Sequence, residues 1–189
     1  MMTLRKMRGF SLIELLVAVL VIVILTSVVS LNVGTGGQDI ERSDEVRQLA
    51  ATMGYAQSEA ELSGSDYGLL IEQTETGSER VYTGSWLRRF DQGWAPPEFI
   101  DDVLLPFRFE PGTELSLALI DQPEALIAAR DPEIIAIPQI VFFAGGEVTE
   151  GDIEWLDSQT GELLFRLQWD FFGRMTIMPK GEQPDNDAR

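Results

Sequence analysis

The chain has 189 residues, no cysteine, no histidine and a formal net charge of −17. The missing residue types exclude disulfides, thiol chemistry and the most common general base and metal ligand. The acidic balance repels phosphate and indicates partners with basic or mixed surfaces rather than nucleic acid.

Three basic residues, Arg5, Lys6 and Arg8, precede a mostly apolar stretch over residues 10–31. As a helix this stretch would be about 33 Å long. That length matches the hydrocarbon core of a bilayer, roughly 30 Å, and predicts a membrane span. The basic flank predicts a cytoplasmic N-terminus. A cleaved secretory signal peptide and a plain single-span anchor both fit this pattern.

Glu14 is the one charged residue inside the apolar stretch. A carboxylate costs about 2.5–3.5 kcal/mol near the centre of a bilayer and less near its edge. Neither a signal peptide nor a passive anchor requires such a residue. An ionisable group within a span therefore indicates a function.

Residues 8–15, RGFSLIEL, resemble the class III leader of type IV pilins and type II secretion pseudopilins. The resemblance implies that a prepilin peptidase cuts between Gly9 and Phe10 and methylates the new N-terminus at Phe10. It implies a leader over 1–9 and a transmembrane and assembly helix over 10–31. Glu14 would then be an assembly residue, since it can pair with the α-amino group of a neighbouring helix and set the subunit register.

Three glycines, Gly34, Gly36 and Gly37, follow the apolar stretch. Each costs roughly 1 kcal/mol inside a helix, so residues 32–38 are predicted as a hinge with a local break or kink. A helix follows over residues 39–62, with an apolar stripe at spacings of three and four. The pairs Arg42/Glu45 and Asp44/Arg47 are predicted on its solvent side.

Beyond Gly64 the apolar period shortens toward two, which predicts strands. Residues 67–72 and 79–90 form a predicted hairpin. Further predicted segments are a strand over 115–119, a helical turn near 124–129, a strand over 134–143 that is bent or at an edge because of Pro138, and a meander over 152–157, 163–169 and 174–178. These elements predict an α+β, pilin-like fold: a long N-terminal helix, membrane-spanning in its first half, packed on antiparallel sheet. The globular domain covers 39–178, and 179–189 is a predicted disordered tail.

Residues 48–71, the strand over 81–86 and residues 138–149, PQIVFFAGGEVT, resemble the minor pseudopilin H subunits of type II secretion, the GspH/FimT-like group. The resemblance implies a structural subunit of the periplasmic pseudopilus that helps push folded proteins through the outer-membrane secretin. The implied partners are other minor pseudopilins, the major pseudopilin, the prepilin peptidase and the inner-membrane assembly platform. The implied location is a single pass of the bacterial inner membrane, with the globular domain in the periplasm.

The sequence contains no G-x-S-x-G or GxxxxGK[ST] motif, and no enzyme activity, cofactor or metal is predicted. A calcium site made by Asp101/Asp102 or Glu150/Asp152 is a weaker alternative. Trp86 is a candidate interface anchor.

Trp94 is a second candidate anchor near the same long loop. Two other functions are open: a minor pilin of a type IV pilus in pilus assembly or DNA uptake, and an anchored binding domain without a fibre. DNA uptake needs exposed basic residues, so the acidic composition favours secretion.

Overall fold

The computed structural model describes residues 12–77, 79–97, 103–120, 122–125, 127, 129 and 136–182, with side chains described in all of these except 24–39, 76, 79 and 122–125. In these ranges the chain forms one helix and ten strands. They are α1 (Leu12–Ser63), β1 (Tyr67–Thr76), β2 (Glu79–Phe90), β3 (Gly93–Ala95), β4 (Phe107–Arg108), β5 (Thr113–Leu119), β6 (Gln122–Ala125), β7 (Ile140–Phe142), β8 (Gly151–Asp157), β9 (Leu163–Trp169) and β10 (Met175–Pro179).

Two compact units divide the chain, Met1–Glu41 and Arg42–Arg189. The first contains the N-terminal part of α1. The second contains the remainder of α1 and the ten strands, and is called the globular unit below.

Within the globular unit, α1 buries one stripe of side chains at spacings of three and four, as the sequence predicts. Its members are Val46, Leu49, Met53, Ala56 and Ala60. The helix ends at Ser63, and Gly64 follows with a left-handed φ of 64°, the conformation that glycine adopts at low cost after a helix.

The predicted hinge over 32–38 does not interrupt α1, since the helix includes these residues. A break in secondary structure is therefore not observed there. A hinge motion at this position stays a prediction, as do the bounds of the leader and of the membrane segment.

The first sheet has the strand order β3-β2-β1-β7, and β4 also pairs with β2. The predicted hairpin is confirmed, because β1 and β2 pair antiparallel from Tyr67↔Arg88 to Thr76↔Glu79. The predicted strand over 134–143 is shorter than expected: in the described part of that range only β7 is a strand. It lies at the sheet edge, as Pro138 suggests.

The second sheet has the order β10-β9-β8-β5-β6 and contains the predicted antiparallel meander. Strand β5 alternates strictly between buried and less buried residues, which is the pattern of a sheet with one face on a core. The helical turn predicted near 124–129 is wrong at Glu124 and Ala125, which belong to the strand β6 paired with β5. The predicted disordered tail is wrong at its start, because Pro179 belongs to β10 and the Lys180 N–H donates to the Leu164 carbonyl at 2.8 Å. Residues 183–189 of that tail lie outside the described residues.

One hydrophobic core joins α1 to both sheets. Its largest fully buried side chains include Trp155 and Trp169 from the second sheet, Phe142 from the first and Met53 from α1. The arrangement of one helix over antiparallel strands confirms the predicted α+β class in the globular unit.

Candidate functional site

The three residues predicted to mark the processing and assembly site lie at or before the start of α1. Gly9 and Phe10 lie outside the described residues. Glu14 lies in the first turn of α1. Cleavage, methylation and the register role therefore stay predictions from the motif.

The first turns of α1 expose their aliphatic side chains. Ten of them, Leu12, Ile13, Leu15, Leu16, Val17, Val19, Leu20, Val21, Ile22 and Val23, are between 47% and 82% exposed. A continuous apolar surface of this kind marks contact with other proteins or with lipid. Burying one such side chain contributes about 1.5–3 kcal/mol, so the segment gains strongly from any apolar surroundings.

Within the described part of the chain, no helix is long and apolar enough to cross a membrane.

Glu45 fastens α1 to two other segments of the globular unit. The Trp155 indole Nε1 donates to Glu45 Oε1 at 2.7 Å, and the backbone N–H of Glu110 donates to Glu45 Oε2 at 2.6 Å. Burial raises the pKa of Glu45, against the opposing effects of these two hydrogen bonds. The prediction that Glu45 faces solvent beside Arg42 is therefore wrong. Its neighbour Asp44 does pair with Arg47 on the exposed side, at 3.6 Å.

Gln57 is the second polar side chain of α1 that hydrogen-bonds to other segments of the globular unit. Its Nε2 donates to the carbonyl of Gly146 at 2.7 Å and to that of Phe172 at 3.1 Å. One side chain therefore holds two separate turns against the helix. Gly173 packs so closely that a Cβ atom there would collide with the Gln57 amide.

The two tryptophans predicted as interface anchors differ in exposure. Trp86 is only 2% exposed and belongs to the core, so its prediction as a partly exposed anchor is wrong. Its position follows from the alternation of β2, which also buries Tyr82. Trp94 is half-buried on β3, with the Arg89 guanidinium 5.8 Å from its ring centre.

The described carboxylates do not form a metal centre. No group of three or more potential ligands lies together within the described part of the chain. Asp152 lies 4.0 Å from Arg166, which also pairs closely with Glu154. Burial raises the pKa of Asp152, and Arg166 opposes that effect. Asp101 and Asp102 lie outside the described residues.

Comparisons with known proteins find a matching N-terminal motif, a curated relative that matches in part, and solved structures with a similar fold. Residues 4–30 match the family described as the prokaryotic N-terminal methylation motif. Over 69 residues the chain is 36% identical to the type II secretion system protein H of Pseudomonas aeruginosa. The match covers 36% of this chain and 40% of the relative, so the chain spans well under half the length of the curated relative it matches.

Solved structures share the fold. The minor pseudopilin EpsH of the Vibrio cholerae type II secretion system has a TM-score of 0.58 at 17% identity, over 79% of this chain and 99% of that one. A second EpsH structure has a TM-score of 0.53 at 19% identity, over 75% and 99%. GspH of E. coli has a TM-score of 0.50 at 16% identity, over 82% and 94%. The chain therefore matches the N-terminal methylation motif over residues 4–30, and its fold is similar to that of the EpsH and GspH minor pseudopilins.

Proposed function

We propose that this protein is a minor pseudopilin, a structural subunit of a type II secretion pseudopilus that helps to push folded proteins through the outer-membrane secretin. The observation that carries the proposal is the joint presence of two features in one chain. A methylation motif over 4–30 overlaps a helix start whose aliphatic side chains are exposed, and a globular unit with the fold of the H pseudopilins follows. The role is structural rather than catalytic.

The exposed aliphatic side chains need apolar surroundings both before and after assembly of the subunit into the fibre. Before assembly, residues 10–31 would cross the inner membrane once, with the globular unit in the periplasm. After assembly, the same side chains would pack against the helices of neighbouring pseudopilins. Exchange of lipid for neighbouring helices keeps the side chains out of water in both states.

Glu14 supplies the register in this proposal. Cleavage after Gly9 by the prepilin peptidase creates an α-amino group at Phe10, where methylation follows. In a helical bundle, the amino group of one subunit can reach the depth of the Glu14 carboxylate of the next. Pairing these charges removes a penalty that each would carry alone in a low dielectric.

The hydrogen bonds that Glu45 and Gln57 of α1 make to other segments would let the helix move the whole globular unit with it. Glu45 and Gln57 each hold two strands or turns of the globular unit to the helix. A fibre built by the inner-membrane assembly platform moves its subunits through their helices. These contacts would carry that movement to the strands, where other minor pseudopilins and the major pseudopilin are the proposed partners.

The alternative is a minor pilin of a type IV pilus, in pilus assembly or DNA uptake. The net charge of −17 speaks against DNA contact, because each phosphate contact needs a basic group. Secretion is therefore the preferred function.

Deletion of the gene in its host separates the two functions. The secretion role predicts that folded cargo proteins accumulate in the periplasm, that the intact gene restores their export, and that twitching and DNA uptake continue. Normal export together with lost twitching or DNA uptake would instead support the pilin role and refute ours.

A further inference from the structure

Three phenylalanines on two neighbouring turns of the globular unit are exposed to solvent. Phe171 and Phe172, which join β9 to β10, are 48% and 66% exposed, and Phe143 after β7 is 39% exposed. We call these three residues the aromatic patch. Large exposed aromatic side chains that lie together mark an interaction surface.

The turn that carries Phe171 and Phe172 is rigid. Asp170 Oδ1 accepts hydrogen bonds from the backbone N–H groups of Phe172 and Arg174, each at 3.0 Å. Asp170 Oδ2 pairs with Arg174 Nη2 at 2.6 Å, and the Gly173 N–H donates to the Asp170 carbonyl at 2.9 Å. These bonds from Arg174 and Phe172 also lower the pKa of Asp170. The two phenylalanine rings meet edge to face with centres 5.5 Å apart.

The second turn is tied to the first and to α1. The Val148 N–H donates to the Phe171 carbonyl at 2.9 Å, and the Phe143 carbonyl accepts from the Gly146 N–H at 2.9 Å. Gln57 of α1 holds Gly146 and Phe172 together. A fixed surface of this kind loses little conformational entropy on binding, which favours a recognition role over a chance exposure.

The rim beside the second turn is acidic, whereas on the first turn the Arg174 guanidinium, paired with Asp170, lies 5.7 Å from the Phe172 ring centre. A Cβ atom at Gly146 would lie 3.0 Å from Glu61 Oε1, and one at Gly145 would touch the Glu147 carboxylate, so both carboxylates border the second turn. Across the described residues, neither Glu61 nor Glu147 forms an ion pair with a lysine or arginine. This rim repels anionic lipid headgroups and attracts basic side chains.

We propose that the aromatic patch is a docking site for a neighbouring fibre subunit that offers an apolar pocket with a lysine- or arginine-bearing rim. The proposal rests on the proposed function only in naming a fibre subunit as the partner. Phe172, the most exposed of the three, would enter the pocket, while Glu61 and Glu147 would pair with its rim.

Photo-crosslinking in the native host tests this surface. The photoreactive residue p-benzoyl-phenylalanine is placed at Phe172, with Phe143 as a second probe. The matched control is Gln159, which is exposed on the turn at the opposite end of β9. Val17 in the exposed start of α1 reports on fibre assembly itself. Adducts are identified by mass spectrometry.

We expect the yield of protein adduct at Phe172 or Phe143 to exceed that at Gln159 about tenfold, with one recurring partner segment flanked by lysine or arginine. Glu61→Lys with Glu147→Lys should lower that yield about tenfold. The pair Glu75→Lys with Glu182→Lys makes the same change in net charge away from the aromatic patch and should leave it unchanged.

Three results would overturn the docking site. They are a yield at both patch probes no higher than at Gln159, adducts with lipid alone, and equal effects of the two charge-reversal pairs. Protein adducts at Val17 without any at the aromatic patch would refute the docking site and leave the proposed function standing. A lack of protein adducts at Val17 and at the aromatic patch would refute both.

Discussion

Trp155 and Glu45 lie 110 residues apart in sequence, and the indole Nε1 donates to the Glu45 carboxylate at 2.7 Å. This bond joins β8 to α1. The second carboxylate oxygen accepts from the backbone of Glu110, so one side chain from the helix satisfies two donors from other parts of the fold. The globular unit therefore depends on a side chain that the sequence pattern alone places in solvent.

Replacing Glu45 should destabilise the globular unit. Glu45→Ala leaves the Trp155 indole and the Glu110 N–H without their acceptor, at a cost of about 1–3 kcal/mol in the free energy of unfolding. Glu45→Gln keeps one acceptor and should cost less. The exposed neighbour is the control, since Asp44→Ala removes only a surface ion pair and should cost less than about 0.5 kcal/mol. Urea unfolding measures all three, and equal costs for Glu45→Ala and Asp44→Ala would contradict the role of Glu45.

The stability contribution of Glu45 should depend on pH. Burial raises its pKa above the ordinary value of 4.5, so the folded protein binds the proton more tightly than the unfolded chain does. The resulting stabilisation is fully present below the unfolded pKa and is lost as the pH rises through the folded pKa. The free energy of unfolding of the wild type, minus that of Glu45→Gln, should therefore fall as the pH rises above 4.5. A difference that stays flat or rises between pH 4 and pH 7 would show that burial is not the dominant effect.

Two glycines with matched backbones should respond differently to alanine. Gly161 and Gly173 have φ values of 71° and 73°, so a Cβ atom costs about 1–2 kcal/mol at either position. Gly161 has open space around it, whereas a Cβ at Gly173 would collide with Gln57. Gly173→Ala should therefore cost about 1–3 kcal/mol more than Gly161→Ala, because the Gln57 amide must give up its hydrogen bonds to Gly146 and Phe172 to make room. In a Gln57→Ala background this excess should vanish, and an excess that persists would show that Gln57 is not its cause.

The proposed register role predicts that Glu14→Ala lowers incorporation of the subunit into fibres at least about tenfold, because an unpaired α-amino group is left in an apolar bundle. Glu41→Ala, an exposed position of the same helix, is the control. Shearing the cells and immunoblotting the released fibres measures incorporation. Normal incorporation of the Glu14→Ala subunit would refute the register role.

Much of the globular unit could be predicted because its periods are regular. The strand predicted over residues 79–90 matches β2 at both ends, since alternation over 81–86 and the glycine-bearing turn before it define it locally. The buried stripe of α1 could also be predicted, because its apolar residues recur at spacings of three and four. The meander follows from three alternating segments separated by turns.

The misses arise where a distant partner decides the structure. Strand β6 forms because Gln122–Ala125 pairs with β5, which composition near Pro123 does not reveal. Strand β4 pairs with β2 at Gly84, where the Phe107 ring fills the space that a side chain would occupy. A glycine in the middle of a strand was the available signal for that close approach.

The same distinction between local patterns and distant contacts applies to the candidate sites. The assembly motif of Gly9, Phe10 and Glu14 can be found in the sequence because its spacing is local. The aromatic patch cannot be found in the sequence, since the sequence does not show whether the side chains of Phe171 and Phe172 are buried or exposed. Glu45 differs from Asp44 only through contacts made by residues more than sixty positions away.

Mass spectrometry of the mature N-terminus of the protein, purified from its native membrane, tests the central claim most directly. Our account predicts a chain that begins at Phe10, with its α-amino group methylated and residues 1–9 removed. An intact leader would indicate a plain anchor. A chain that begins near Leu31 would indicate a cleaved signal peptide, and either result would contradict the assignment as a pseudopilin.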